Sequence, residues 1–268
     1  MAAVISPPDN LEPRLHYAFL PDPRRLWAWG IVFGGRFYDP ARGQVTADSQ
    51  PIVRALDWMA SYSRRYGADR VAAFRKGDQS LSGAAFPLLQ GRYTFVMDGQ
   101  WRVAEIAAHE AQVRARGETP HRYGVMPLPP PAGGLPNAGW VNGNFFVVPR
   151  GCRNPQGAWA FAKFWSGFDN HEAEAARTCA EGGWIPASSA VVRQPEFQSY
   201  LRTYPDFALF VELAASSHQV PTPAVPGAAY FYGEIDRAAQ QAMYLGSAPR
   251  EALERASQRV RARLGGTP

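Results

Sequence analysis

Residues 90–101 read QGRYTFVMDGQW. Tyr93, Phe95 and Met97 alternate with Thr94 and Val96, the apolar run of a short strand at the centre of a sheet. Asp98-Gly99 then supplies turn chemistry, since glycine accepts unusual backbone angles and aspartate bonds nearby backbone donors. Trp101 opens WRVAEIAAHEAQVRAR, which has helical periodicity. A strand, a tight turn and a helix in succession are the unit of an α/β fold. A flat apolar ring at a strand's C-terminal edge stands where open α/β sheets bind ligands. The competing reading of Trp101 is a ring packed against the sheet.

Outside this stretch the totals describe a globular chain. Its 268 residues are 46% hydrophobic and 19% charged, enough apolar surface for a substantial core. Eight tryptophans, 11 tyrosines and 15 phenylalanines exceed what a core needs, and exposed tryptophan without a role is costly. The net charge of +5 invites a nucleic-acid reading. Its distribution argues against one: Lys76 and Lys163 are the only lysines, the arginines are scattered, and the densest group (residues 250–263) alternates with Glu251 and Glu254 at helical spacing. Cys152 and Cys179 exclude a cysteine-only zinc site, and leave open either one disulfide in an exported protein or two thiols. The first residues lack a basic start and an apolar run, so no signal peptide is read there. Pro, Gly or charge interrupts every apolar stretch, so no membrane span is read.

Along the chain, residues 1–15 read as a disordered lead-in and 16–20 as a short strand. A helix carrying Trp27 and Trp29 is expected over 24–33, stopped by Gly34-Gly35. A hairpin follows around a turn at 39–43, then helices over 50–66 and 78–91. Beyond the helix of 101–116, residues 123–128 and 144–149 read as strands on either side of the Pro/Gly-rich 129–139. Asn154 is placed to cap a strongly apolar helix, and further helices are expected over 172–180, 196–204, 207–215, 230–245 and 248–264. The order reads as α/β.

Signatures of catalysis are sparse. There is no Gly-rich phosphate loop, no HExxH and no nucleophile elbow, and the five histidines lack metal-ligand spacing. Asp98, Glu105 and Glu181 could supply a carboxylate pair for glycoside hydrolysis, but nothing marks them as one. What stands out is aromatic residues at turns beside small or amide residues. Trp29 precedes Gly30, Trp101 follows Asp98-Gly99, Trp140 neighbours Asn142-Gly-Asn144, Trp184 follows Gly182-Gly183, and Tyr230-Phe-Tyr232 forms a run. Sugars call for such surfaces: their C–H faces stack on rings and their hydroxyls bond to Asp, Asn and Arg.

These segments, taken in order, resemble the family 1 extracellular solute-binding proteins of ABC sugar importers, the group that includes maltose-binding protein. The resemblance is carried by LWAWGIVFGGRFYD, GRYTFVMDGQW, YGVMPLP, NFFVVPRGCRNPQGAWAFAKFW, EGGWIPAS and the closing GSAPREALERASQRV. It implies a type II periplasmic-binding-protein-like α/β architecture of two lobes. One lobe would be largely present (residues 16–139 and 191–268). The other would be represented by its return segment, 140–190, without its N-terminal part, so the chain is expected to be a C-terminal portion. The faces of Trp159, Phe161, Phe164 and Trp165 would then lack a covering sheet.

The implied function is non-catalytic binding of a sugar or oligosaccharide, delivered to ABC permease subunits in the membrane, in a periplasmic or extracytoplasmic location. Taken alone, the absence of a signal peptide would instead mean the cytoplasm. No cofactor, metal or nucleic acid is implied, and a separately supplied N-terminal segment is a conceivable partner. The implied ligand contacts are Trp101 by stacking, Asp98 by hydrogen bonding, Trp140, Asn142, Asn144, Trp184 and Tyr230, with Trp29, Gly35 and Arg36 from the Gly-Gly segment. The alternatives are a carbohydrate-active hydrolase working through a loop carboxylate and a remnant without a ligand.

Overall fold

A computed structural model describes residues 17–78, 85–143 and 145–265. The expected lead-in, residues 79–84 of the helix expected over 78–91, and Asn144 lie outside the described residues, and residues 85–91 are turns rather than the expected helix. In chain order, a 3-10 turn (Pro23–Arg25) leads into α1 (Leu26–Val32), the hairpin β1 (Tyr38–Asp39) and β2 (Gln44–Val45), α2 (Gln50–Tyr66), α3 (Ala68–Asp78) and α4 (Trp101–Ala115). Then come β3 (Gly139–Val141), α5 (Pro155–Ser166), α6 (Glu172–Gly182), α7 (Ser189–Val192), α8 (Pro195–Thr203), α9 (Pro205–Ala214), β4 (Gln219–Pro221), α10 (Ala228–Tyr244) and α11 (Pro249–Gly265).

Helices therefore dominate. Among the described residues β1 and β2 pair antiparallel, and β3 and β4 pair parallel with Trp140 opposite Val220. Four expected strands are not strands: in the described part of 16–20 only Tyr17 forms an isolated bridge. In 90–97 only Tyr93 bridges, in parallel, to Tyr17. Residues 123–128 and 145–149 run without strand pairing. Alternating apolar residues propose a strand, but a strand exists only where a second segment meets it.

The chain divides into two compact units. Unit 1 is Met1–Met97, Pro127–Val141 and Ser216–Pro268, and unit 2 is Asp98–Met126 and Asn142–Ala215. The chain thus passes between the units more often than the lobes expected from the sequence require.

In unit 1, α1 carries no polar side chain and every one of its residues is buried, so it behaves as a core helix rather than an amphipathic one. It packs on α2, α10 and β3. Along α2, Ile52, Val53, Leu56, Met59, Ala60 and Ser63 recur at three- and four-residue spacing and form its buried face. The hairpin holds because Asp39 Oδ1 accepts the N–H groups of Ala41 and Arg42 while Gly43 takes φ +64°. Phe37 then reaches into the core against Gly30, where a Cβ would stand 2.6 Å from the ring. Two buried carboxylates tie the periphery down. Glu234 on α10 pairs with Arg237 and, at 2.6 Å, with Arg259 of α11. Asp22 accepts from Arg24 and Arg75, each at 2.7 Å.

In unit 2, Ala175, Ala176, Val191, Phe197 and Phe207 form a smaller core, joined by Val103 of α4 and by Ile185 and Tyr200. Asn154 caps α5 by accepting the Gly157 N–H at 2.9 Å, and Gly167 closes the helix in the left-handed conformation. No residue of α5 is buried. Trp159, Phe161 and Phe164 are exposed, as is the run 145–148, with Phe145 at 82%. Trp159, Phe161 and Phe164 match the uncovered face expected from the sequence, whereas Trp165, also expected on it, is half-buried beside Phe146 and Trp184. Cys152 and Cys179 are both free thiols, and burial pushes the Cys179 thiol up. No helix among the described residues is long and apolar enough to cross a membrane.

Candidate functional site

The expected ligand contacts fall on both units. On unit 2, Asp98 sits in the turn before α4. Its Oδ1 accepts the Gly99 N–H at 2.9 Å and its Oδ2 accepts the Arg102 Nε–H at 2.7 Å. Arg102 also pairs with Glu105, one turn along. Burial alone would favour a neutral Arg102, but the two carboxylates outweigh it and raise its pKa. Asp98 thus bonds the backbone N–H beside it, as a turn aspartate does, and its carboxylate comes with a cation attached.

Trp101, the first residue of α4, is 45% exposed. Its indole folds back onto the turn, so that a Cβ on Gly99 would stand 2.1 Å from Cζ3 of the ring. Trp184 repeats the device. It is 41% exposed and lies over Gly182, whose Cβ would meet the ring at 2.7 Å. The loop that carries it is a helix C-cap: Gly183 is left-handed at φ +62°, and the Trp184 N–H donates to the Cys179 carbonyl at 2.9 Å. Trp165 flanks Trp184, their ring centres 5.8 Å apart. Asn142 is exposed. Glu181, the other candidate carboxylate, is also exposed, near the end of α6.

On unit 1, Trp140 lies in β3 and is half-buried. Its Nε1–H donates to Thr222 Oγ1 at 3.0 Å, and its ring stacks on Tyr232 with centres 5.6 Å apart and planes 26° off parallel. Tyr232 in turn stacks on buried Trp27 at 6.0 Å and 8°. Burial raises the Tyr232 hydroxyl pKa, with Asp236 adding to it against Arg25 and Arg24. Tyr230, two residues earlier on α10, is exposed. The run 230–232 stands out in the sequence, yet only its first member is read there as a contact. The helical turn separates the two tyrosines, and it is Tyr232 that meets Trp140.

In the Gly-Gly segment Trp29 and Gly35 are corrected. Trp29 is 4% exposed and packs against Trp58, with ring centres 4.5 Å apart, so no face is left for a ligand. Gly35 is buried, its N–H donating to the Gly30 carbonyl at 2.8 Å, and a Cβ there would meet Ile52 at 2.5 Å. Its role is close packing. Arg36 is exposed, and its carbonyl accepts the Thr46 hydroxyl at 2.6 Å. Among the described residues no cluster of three His, Cys, Asp or Glu side chains is arranged to hold a metal ion.

The profile of one family, described as bacterial extracellular solute-binding protein, matches residues 17–203. The chain belongs to this family. The solute-binding protein is also similar in fold to several solved structures. With CpMnBP1 with mannobiose bound, the TM-score is 0.73 at 24% identity, over 93% of this chain and 60% of that one. With the sugar-binding protein MalE from the phytopathogen Xanthomonas citri it is 0.63 at 17%, over 93% and 58%. With maltose-bound T. maritima MalE3 it is 0.60 at 19%, over 89% and 56%. These likenesses establish the type II periplasmic-binding-protein fold. The solute-binding protein spans less than two thirds of the length of each of these structures. No curated protein matches its sequence.

Proposed function

We propose that this solute-binding protein is the carbohydrate-binding component, in C-terminal portion, of an ABC importer, without catalytic activity. Its partners are a sugar or oligosaccharide and the permease subunits of the importer, and it works outside the cytoplasmic membrane. The observation that carries the reading is Trp101: a ring 45% exposed, folded onto a glycine and standing beside the Asp98–Arg102 pair. An indole left in water at a helix start is unfavourable unless something covers it, and a pyranose C–H face suits a ring bordered by charged hydrogen-bonding groups. Trp184, Trp140, Tyr230 and Asn142 are the further proposed contacts, together with Asn144, which lies outside the described residues. That one fold relative carries mannobiose and another maltose supports the ligand class. A hydrolase finds no such support, since Asp98 is engaged by Gly99 and Arg102 and Glu181 stands exposed.

Calorimetric titration with mannobiose, mannotriose, maltose and maltotriose tests this. At least one sugar should bind, and Trp101→Ala should weaken it about fivefold or more, the loss of roughly 1 kcal/mol of ring stacking. If none of the four binds, or Trp101→Ala stays within about threefold, the reading is wrong.

A further inference from the structure

We propose that Trp140 is a one-faced stacking platform for a pyranose ring and that Tyr232 and Thr222 are its positioning residues. The proposal rests on the carbohydrate reading above and goes beyond it in saying how the ring is presented. An indole offers a ligand two faces and an N–H donor. Here the donor is already used, because Nε1–H donates to Thr222 Oγ1 at 3.0 Å. One face is also covered, by Tyr232 at 5.6 Å between centres. Only the opposite face of a half-buried ring remains, so a ligand meets Trp140 through C–H contacts and not through a hydrogen bond.

The platform is anchored from three sides. Behind Tyr232 lies Trp27, fully within the core and packed at 4.1 Å on Phe37, so the stack ends on an immobile base. Below, Trp140 pairs with Val220 across the parallel β3–β4 ladder, and Thr222 follows two residues on, on the same face. At the strand's start, Gln219 Nε2–H donates to the Asn137 carbonyl at 3.1 Å and holds the entering turn. Each contact removes freedom from the ring before a ligand arrives, and this is how preorganisation raises affinity.

Two measurements on the same variants test this. Thr222→Val keeps the shape and removes the hydroxyl, Thr222→Ser keeps the hydroxyl, and Tyr232→Leu removes the backing ring. With mannobiose or maltotriose as probe, Thr222→Val and Tyr232→Leu should each weaken binding about three- to tenfold, while Thr222→Ser stays within about twofold of the parent. Without sugar, the Trp140 indole N–H signal, assigned through Trp140→Phe, should show backbone-like order by heteronuclear NOE in the parent and Thr222→Ser. That order should fall in the other two variants. Unchanged order, or affinity within about twofold in both Thr222→Val and Tyr232→Leu, overturns the positioning role. If sugar binds but Trp140→Ala leaves its affinity unchanged, the platform falls and the carbohydrate reading stands. If none of mannobiose, mannotriose, maltose and maltotriose binds the parent, the carbohydrate reading falls with the platform, and the indole order alone decides whether the two residues position Trp140.

Discussion

The indole of Trp101 rests on Gly99, where the space for a Cβ is filled by the ring itself, 2.1 Å away at Cζ3. Gly99 has ordinary negative-φ backbone, since it is not among the positive-φ glycines. What glycine supplies here is therefore clearance for an aromatic ring. Gly182 does the same for Trp184.

Gly99→Ala should therefore displace the Trp101 ring without harming the fold, because the clashing atoms are the far end of an exposed side chain. Melting temperature should change by no more than about 2 °C, in line with surface substitutions. Sugar affinity, measured by calorimetry, should fall about as far as in Trp101→Ala, roughly fivefold. Unchanged affinity would show that the folded-back pose is not the binding pose.

Gly35→Ala should do the opposite. Its Cβ would press on Ile52 at 2.5 Å and on the Gly30 carbonyl at 2.9 Å, both fixed within a packed core. Overpacking of this kind costs about 1–3 kcal/mol, readable as a lower urea midpoint at an unchanged slope. Affinity of the folded protein should not move, separating a packing glycine from a ligand contact.

Asp22 links stability to pH. Burial pushes its carboxyl up, but the Arg24 hydrogen bond and the Arg75 and Arg24 charges prevail and hold it below the usual 3.8. A carboxyl lower in the folded than in the unfolded state stabilises at pH values above its unfolded pKa, and the contribution disappears as pH falls through the folded value. Asp22→Asn should cost about 3 kcal/mol at pH 7, since it removes the charge partner of the largely buried Arg75. Denaturation at a series of pH values should show that gap narrowing steadily below pH of about 4. A gap constant with pH would mean that the Asp22 charge contributes nothing.

Phe145→Ser combined with Trp159→Gln should reduce self-association and leave melting unchanged, since both side chains project from unit 2 into solvent. Light scattering across a concentration series would read this. An unaltered tendency to associate would clear the 145–148 and α5 face of responsibility.

Much of the helical frame was legible because its causes are local. The start of α2 follows from Pro51 in its first turn and that of α5 from the Asn154 cap, each within a turn of the helix it opens, whereas the Ser49 side chain, a cap by its residue type, makes no capping bond. The strands were not legible for the same reason in reverse. TFV at 94–96 and FFVV at 145–148 have strand composition, but composition does not bring a neighbour alongside.

At the candidate site, Trp29 and Trp101 look alike as residues, each one or two positions from a glycine. The first lies against Trp58 in the core of unit 1 and the second lies open over Gly99. Tyr232 was masked by its neighbour Tyr230, because which of two tyrosines on a helix meets Trp140 depends on the helix's rotation about its axis.

The sequence by itself determined most of the helices but not α3 or α7, together with the Asn154 cap of α5, the Asp39–Gly43 turn and the ordered landmarks of a solute-binding family, since each depends on residues a few positions apart. Only the tertiary structure decided which aromatics are core and which are surface, and that Tyr232 and Thr222 fix Trp140 across more than 80 residues of chain. Burial and ring stacking are properties of how distant segments meet, and no local pattern encodes that meeting.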